Sequence, residues 1–222
     1  MQAIPSLPEL RKMNIESLKK ACIEIREFIL NSTSEKAGHL ASSLGVTELT
    51  VALHIILDTP EDVLIWDVGH QAYVHKVITD RADVFKSNRK KNGPSGFPNR
   101  NESNFDSFGV GHSSTALSAL IGFARADVLI NRNRHKVAVV GDGAFTGGMV
   151  YEAMNDAGSK GDDILLIIND NGFAIEENVG ALHDSGEYKE FCTSLGWNFI
   201  DGHINGNNIA ELIPRIKQAL KH

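Results

Sequence analysis

Apolar positions follow two rhythms along this chain, one helical and one strand-like. Ile15, Leu18, Cys22, Ile25 and Ile29 recur at three- and four-residue steps behind Asn14, which predicts an amphipathic helix capped by Asn14 and ending near Asn31-Ser32. A second helix is expected over residues 47–57, introduced by the small-residue stretch 35–45. Val63-Leu64-Ile65-Trp66-Asp67 is instead a short unbroken apolar run, the pattern of a strand covered on both faces. Residues 137–140 and 164–168 are two more such runs. Between them Met149, Ala153, Met154 and Ala157 keep helical spacing, so residues 137–171 predict a βαβ unit with parallel strands. Helices over 115–129, 188–195 and 208–220 and a fourth strand over 197–200 complete the expectation of an α/β fold, an open, mostly parallel sheet with helices on both faces. Residues 90–111, rich in Gly, Pro, Asn and Ser, read as a long loop.

Composition narrows the class. With 222 residues, 42% of them apolar, the chain can bury one substantial core, so one domain spanning 1–222 is expected. A net charge of −6 and a pI near 5.8 give no electrostatic case for a nucleic-acid partner. The basic clusters Arg89-Lys90-Lys91 and 132–136 are short and read as solvated loop ends. The N-terminal MQAIPSLPELRKM lacks a signal-peptide pattern, and the aliphatic run 164–168 is too short for a bilayer, so a cytoplasmic protein without a membrane segment is expected. Cys22 and Cys192 have no metal-ligand spacing and read as reduced core residues.

Candidate chemistry gathers where strands end. Ligands in open α/β sheets bind beyond the carboxyl ends of the strands. Asp142 follows the first strand of the βαβ unit and Asn169-Asp170-Asn171 follows the second. One carboxylate and one amide oxygen suit a Mg²⁺ whose other ligands are diphosphate oxygens and water. Gly141 and Gly143 allow close backbone approach, and the Gly143 and Ala144 amides sit where an anion is favoured. The simpler alternative is that Asp142 only caps a helix and Asn171 only turns the chain. A P-loop needs Gly-Lys-Ser/Thr and a dinucleotide fingerprint needs a third glycine where Thr146 stands, so both fit worse. His70 lies just past the strand at 63–67, a place for proton transfer or anion contact, with His75 a weaker candidate. His39 follows a glycine in a loop and can reach a site, while His54 lies within a helix. Gly111, His112 and Ser113 precede the helix at 115–129 and form a second candidate anion contact.

GDG followed at this distance by NDN resembles the thiamine-diphosphate motif of transketolase-like enzymes. The segments GHLASSLG, WDVGHQAYVHK, SGFPNRNESNFDSFGVGHSS, GDGAFTGGM and NDNGFAIEENVGAL closely resemble the N-terminal domain of the 1-deoxy-D-xylulose-5-phosphate synthase family, over nearly the whole chain. That resemblance implies Mg²⁺ held by Asp142, Asn171 and the Phe173 carbonyl. It implies thiamine diphosphate contacted by His70, Gly111, His112, Ser113, Gly143, Ala144 and Asn171, and His39 in proton handling alongside His70. The implied reaction condenses pyruvate with D-glyceraldehyde 3-phosphate, with loss of CO₂, in the supply of isoprenoid, thiamine and pyridoxal precursors. A homodimer, or association with a chain carrying the pyrimidine-binding domain, is the implied assembly.

Three departures from the family pattern stand out. Gly172-Phe173 replaces a Glu-Met pair, the link 183–187 is shorter than the family's segment, and the last strand with the pyrimidine-binding and C-terminal domains is missing. The end therefore reads as cut, and the isolated chain is expected to lack the glutamate that activates the cofactor. Two other readings stay open: a subunit of another split transketolase-like enzyme, and a non-catalytic homologue that binds cofactor or a partner.

Overall fold

The computed structural model describes residues 4–33, 38–172, 178–200 and 204–221. Helices α1 (Leu7–Leu10), α2 (Ile15–Thr33), α3 (Leu40–Gly45) and α4 (Thr47–Ile56) lead into strand β1 (Val63–Trp66). Helices α5 (Tyr73–Lys76) and α6 (Ala116–Leu129), strand β2 (Lys136–Gly141), helices α7 (Asp142–Phe145) and α8 (Gly148–Lys160) and strand β3 (Leu165–Asn169) follow. Helices α9 (Ala181–Ser185), α10 (Tyr188–Ser194) and α11 (Ile209–Ala219) come last. The chain divides into two compact units, one of Met1–Pro60, Gly69–Gly109 and Ile204–Lys221, the other of Glu61–Val68 with Val110–His203.

The first unit is helical. Asn14 caps α2 as expected, its Oδ1 accepting the Ser17 N–H at 2.9 Å, and the stripe Leu18, Cys22, Ile25 and Ile29 is buried. Burial pushes the Cys22 thiol up to about 12, with Glu48 adding to it, so this cysteine is an unreactive core residue. Helices α1, α2, α5 and α11 all pack on α4, which explains why Leu49, Val51, Ala52 and Leu53 are buried around its circumference. Helix α11 contributes Ile209, Leu212 and Ile216, and its start is fixed by Asn208, whose side chain accepts the Ala210 N–H at 3.2 Å. Each such aliphatic side chain contributes about 1.5–3 kcal/mol when fully buried. An Arg26–Glu48 ion pair ties α2 to α4.

Polar groups hold the long loop of this unit in place. His54 Nε2 meets His75 Nδ1 at 2.8 Å, and His75 Nε2 meets Asp106 Oδ1 at 2.8 Å. Arg81 donates to both Asp106 oxygens, at 2.7 and 2.9 Å, and the Asn99 N–H adds a bond of 2.7 Å. Glu102 accepts from Lys76, Arg81 and the Ser95 N–H. The segment expected to be a long loop is therefore anchored at two carboxylates.

The second unit carries a parallel sheet in the order β1-β2-β3. Residues of β1 and most of β2 are buried, whereas β3 is half-buried along its length. Helix α6 packs on β1 and β2, and α8 packs on α6. The buried stripe of α8 is Val150, Ala153, Met154 and Ala157; Met149, expected in that stripe, is 43% exposed because it lies one residue off the buried face. Gly161, in the left-handed region at φ 65°, ends the helix.

The fourth expected strand is not formed, so three parallel strands are described where four were expected. Residues 197–200 follow Gly196 (φ 85°), and the first of them packs on α8: the Trp197 Nε1–H donates to the Met154 carbonyl at 2.9 Å. A Cβ on Gly158 would lie 1.8 Å from the Leu195 carbonyl oxygen, so that approach requires a glycine. Trp197 thus lies against a helix, and the run at 197–200 pairs with no strand among the described residues. No helix among the described residues is long and apolar enough to cross a membrane.

Candidate functional site

Parallel pairing of β2 with β3 sets Gly141 opposite Asn169. The two residues that follow these strand ends meet as expected: the Asn171 N–H donates to Asp142 Oδ2 at 3.2 Å. Asp142 Oδ1 accepts the Gly143 N–H at 2.8 Å, and the Thr146 hydroxyl donates to the Gly143 carbonyl at 2.7 Å, closing the turn of α7. Asp142 is buried, and its described partners are backbone amides. These bonds bring no cationic partner to the carboxylate and leave it further lone pairs for a cation. No group of three or more His, Cys, Asp or Glu side chains among the described residues could enclose a metal. That donor set fits a Mg²⁺ that keeps water and phosphate oxygens as ligands, not a cation caged by protein. Phe173, the third implied metal ligand, lies outside the described residues.

Beside Asp142 a shallow recess is lined by Phe145, Thr146, Tyr151, Asn178 and Tyr188. Phe145 packs against Tyr151 and Tyr188 with ring centroids 5.9 Å apart in both cases. The Tyr188 hydroxyl donates to Asp170 Oδ2 at 3.3 Å. Burial, and then the negative charge of Asp170, push this phenol up to about 12, so it remains a neutral donor.

The stretch Gly111, His112 and Ser113 precedes α6 as expected, yet the helix start already holds an anion. Asp67, fully buried just after β1, accepts the Ser114 N–H at 2.7 Å and the Ala116 N–H at 2.9 Å. Burial raises its carboxyl, and these amide hydrogen bonds oppose the rise. The donors at 114 and 116 are thus occupied by Asp67, leaving Gly111 (φ 151°), His112 and Ser113 upstream as the part of the loop still to be matched to a ligand. His112 Nδ1–H donates to the Ser113 carbonyl at 2.7 Å, which leaves Nε2 as the acceptor in the neutral ring. Ser114 adopts φ 69°, and its hydroxyl donates to the Ala144 carbonyl at 2.8 Å, linking this loop to the Gly143-Ala144 turn.

In the first unit, His39 and His70 come together with ring centroids 5.7 Å apart, edge to face. Phe97 lies 6.0 Å from the His39 ring, and the His39 N–H donates to the Tyr73 hydroxyl oxygen at 3.4 Å. Desolvation, and then the nearby Arg89 charge, lower the His39 basicity, so the ring is neutral near pH 7 and can accept a proton. The Ser43 hydroxyl donates to the His70 carbonyl at 3.1 Å, fixing the backbone there. His75 and His54 are separate from this pair of rings in role: both are buried in the Asp106 network.

Asp67 and Ser114 were not singled out by sequence. An aspartate at the end of an apolar strand and a Ser-Ser-Thr run before a helix are weak capping signals, and only the fold pairs them across the chain.

A family model described as 1-deoxy-D-xylulose-5-phosphate synthase matches residues 1–189. A 1-deoxy-D-xylulose-5-phosphate synthase of Cytophaga hutchinsonii is 53% identical over 230 residues, covering 100% of this chain and 36% of that protein. The Pasteurella multocida protein of the same name is 44% identical over 265 residues, covering 100% of this chain and 43% of its own length. The chain thus spans well under half the length of these relatives. Among solved structures, a Pichia stipitis transketolase in complex with xylulose 5-phosphate aligns with TM-score 0.78 and 18% identity, over 91% of this chain and 34% of that one. A Leishmania mexicana transketolase aligns with TM-score 0.73 and 16% identity, over 95% and 35%. These two likenesses speak for a transketolase-like fold alone.

Proposed function

The chain belongs to the 1-deoxy-D-xylulose-5-phosphate synthase family, and from that premise we propose that it supplies the magnesium- and diphosphate-binding part of a transferase that condenses pyruvate with D-glyceraldehyde 3-phosphate, releasing CO₂. The observation that carries this reading is the Asp142–Asn171 contact at the ends of two adjacent parallel strands. Asp142 and the Asn171 side chain, with the Phe173 carbonyl, would hold Mg²⁺. Gly143, Ala144, Gly111, His112 and Ser113 would line the diphosphate. When bound, thiamine diphosphate supplies the electron sink for the two-carbon unit that pyruvate donates.

The chain's own residues bind, orient and move protons. Asp142 would hold the cation through a carboxylate that its two amide partners orient. Tyr188 and Phe145 line the recess beside Asp142 and would limit water around a bound diphosphate. In the first unit His39, neutral near pH 7, is suited to accept or return a proton, and His70 is its neighbour; the family resemblance makes His70 a candidate cofactor contact. The assembly proposed is a homodimer, or a complex with a chain carrying the pyrimidine-binding domain, acting in the cytoplasm in the supply of isoprenoid, thiamine and pyridoxal precursors.

Calorimetric titration with thiamine diphosphate, with and without Mg²⁺, tests the reading. Binding that strengthens with Mg²⁺ supports it. Binding that is absent, or indifferent to Mg²⁺, overturns it.

A further inference from the structure

Three observations converge on Ser114. Its backbone lies in the left-handed region at φ 69°, which a non-glycine residue adopts only where the surroundings enforce it. Its N–H is held by the buried Asp67, whose own N–H extends the sheet by donating to the Val139 carbonyl at 2.8 Å. Its hydroxyl donates to the Ala144 carbonyl, and the space around that hydroxyl exists because residue 147 has no side chain: a Cβ on Gly147 would lie 2.0 Å from Ser114 Oγ and 2.8 Å from its Cβ.

From this we infer that Asp67, Ser114 and Gly147 form a positioning device for the turn that begins at Asp142. The end of β1 sets Asp67, Asp67 sets Ser114, and Ser114 sets the Ala144 carbonyl, so the Asp142–Ala144 turn is braced from outside its own βαβ unit. The inference rests on the proposed use of that turn as the Mg²⁺–diphosphate site. A carboxylate and a run of amides must be held in place before the ligand arrives if binding is not to be weakened by ordering them.

A role confined to folding makes a different prediction from a role in positioning. Ser114→Gly removes the hydroxyl but suits a positive φ, so the strain is relieved and stability is kept. Positioning predicts that this variant binds thiamine diphosphate with Mg²⁺ about tenfold more weakly, the scale of one lost hydrogen bond, while its melting temperature is not lowered. Gly147→Ala, which drives Ser114 aside, should weaken binding at least as much. In the Ser114→Gly background the same Gly147→Ala change should cost little further affinity, because the atoms it strikes are gone.

The three variants and the parent chain are compared by calorimetry in the same buffer, with thermal unfolding of each. Parent binding that depends on Mg²⁺, together with undiminished binding by Ser114→Gly, overturns the positioning role and leaves the proposed site standing. Equal, additive losses in the two backgrounds also overturn it. A parent chain that binds nothing removes the proposed site and this inference with it.

Discussion

Asp106 in the first unit and Asp142 in the second are both buried carboxylates, but Asp106 faces side chains and Asp142 faces backbone. Around Asp106 stand Arg81 and His75, with the Asn99 amide completing the set. Its charge is balanced inside the protein, and the groups that balance it also fasten the loop that carries it. Asp142 rests on the amides of Gly143 and Asn171, which orient the carboxylate and bring no positive charge to it. Burial alone therefore does not separate a structural acid from one proposed to hold a cation. At Asp106 a guanidinium already fills the place a metal would take, and among the described hydrogen bonds Asp142 has no such partner.

The largest effect expected from this contrast is on stability. Asp106→Ala leaves the buried Arg81 with only Glu102, at 3.1 Å and shared with Lys76, as its counter-charge, and leaves His75 without its acceptor, so unfolding free energy should fall by about 3–5 kcal/mol, read by chemical denaturation. A loss below about 1 kcal/mol would show that the network contributes little. Asp142→Ala should lower stability by no more than about 2 kcal/mol, the range of a lost capping side chain, yet abolish the enhancement of thiamine-diphosphate binding by Mg²⁺. Mg²⁺ dependence surviving in that variant would remove Asp142 from the ligand set.

Acid should act on the first unit before it reaches the second. Burial lowers the basicity of His54 and His75, so the unfolded chain binds protons that the folded unit excludes. That contribution is complete above the ordinary imidazole value of 6.5 and is lost progressively as pH falls below it. Burial pushes Asp106 up, but the hydrogen bonds from His75 and Arg81 outweigh it and hold the carboxyl well below its usual range. Its contribution is present above the ordinary carboxylate value of 3.8 and is lost as pH falls through and below it. Denaturation midpoints measured from pH 8 to pH 5, roughly the window around the imidazole value, should decline with acid, and the slope should be shallower in His75→Gln. A parallel slope in that variant would exclude His75 as the source.

The smallest effect is expected at the carboxylate that follows β3. Asp170 pairs with the Gly172 N–H and the Tyr188 hydroxyl at an exposed position, so Asp170→Asn should change Mg²⁺-dependent affinity by less than about fivefold. A larger loss would move Asp170 into the metal site.

How much of this was legible follows from the range of each interaction. Helix periodicity and the strand runs are local, so α2, α4, α8, α11 and the three strands could be read from residues a few places apart. Asp142 and Asn171 were legible because parallel pairing of successive strands brings their ends together by rule. The Asp67–Ser114 bond joins residues far apart in the chain, and nothing local distinguishes Asp67 from any aspartate that ends a strand. His54 and His75 occupy helix positions that look the same whether they meet water or one another; Asp106, the partner of His75, sits in a loop without periodicity. Residues 197–200 were misread because an apolar run looks the same whether it pairs in a sheet or, as at Trp197, lies against a helix.

The two units are interlaced along the chain, and that sets an order of assembly during synthesis. Strand β1 leaves the ribosome before the whole 67–135 segment that separates it from its partner β2, whereas β2, α8 and β3 emerge together. The βαβ hairpin can form as soon as it is made, and β1 must wait to be captured by it. The helical unit waits longer, since α11, the last helix described, packs on α2 and α4, among the first. Until α11 arrives, α4 presents an uncovered apolar face to the cell, so a nascent chain halted between β3 and Asn208 is the form that chaperones would meet.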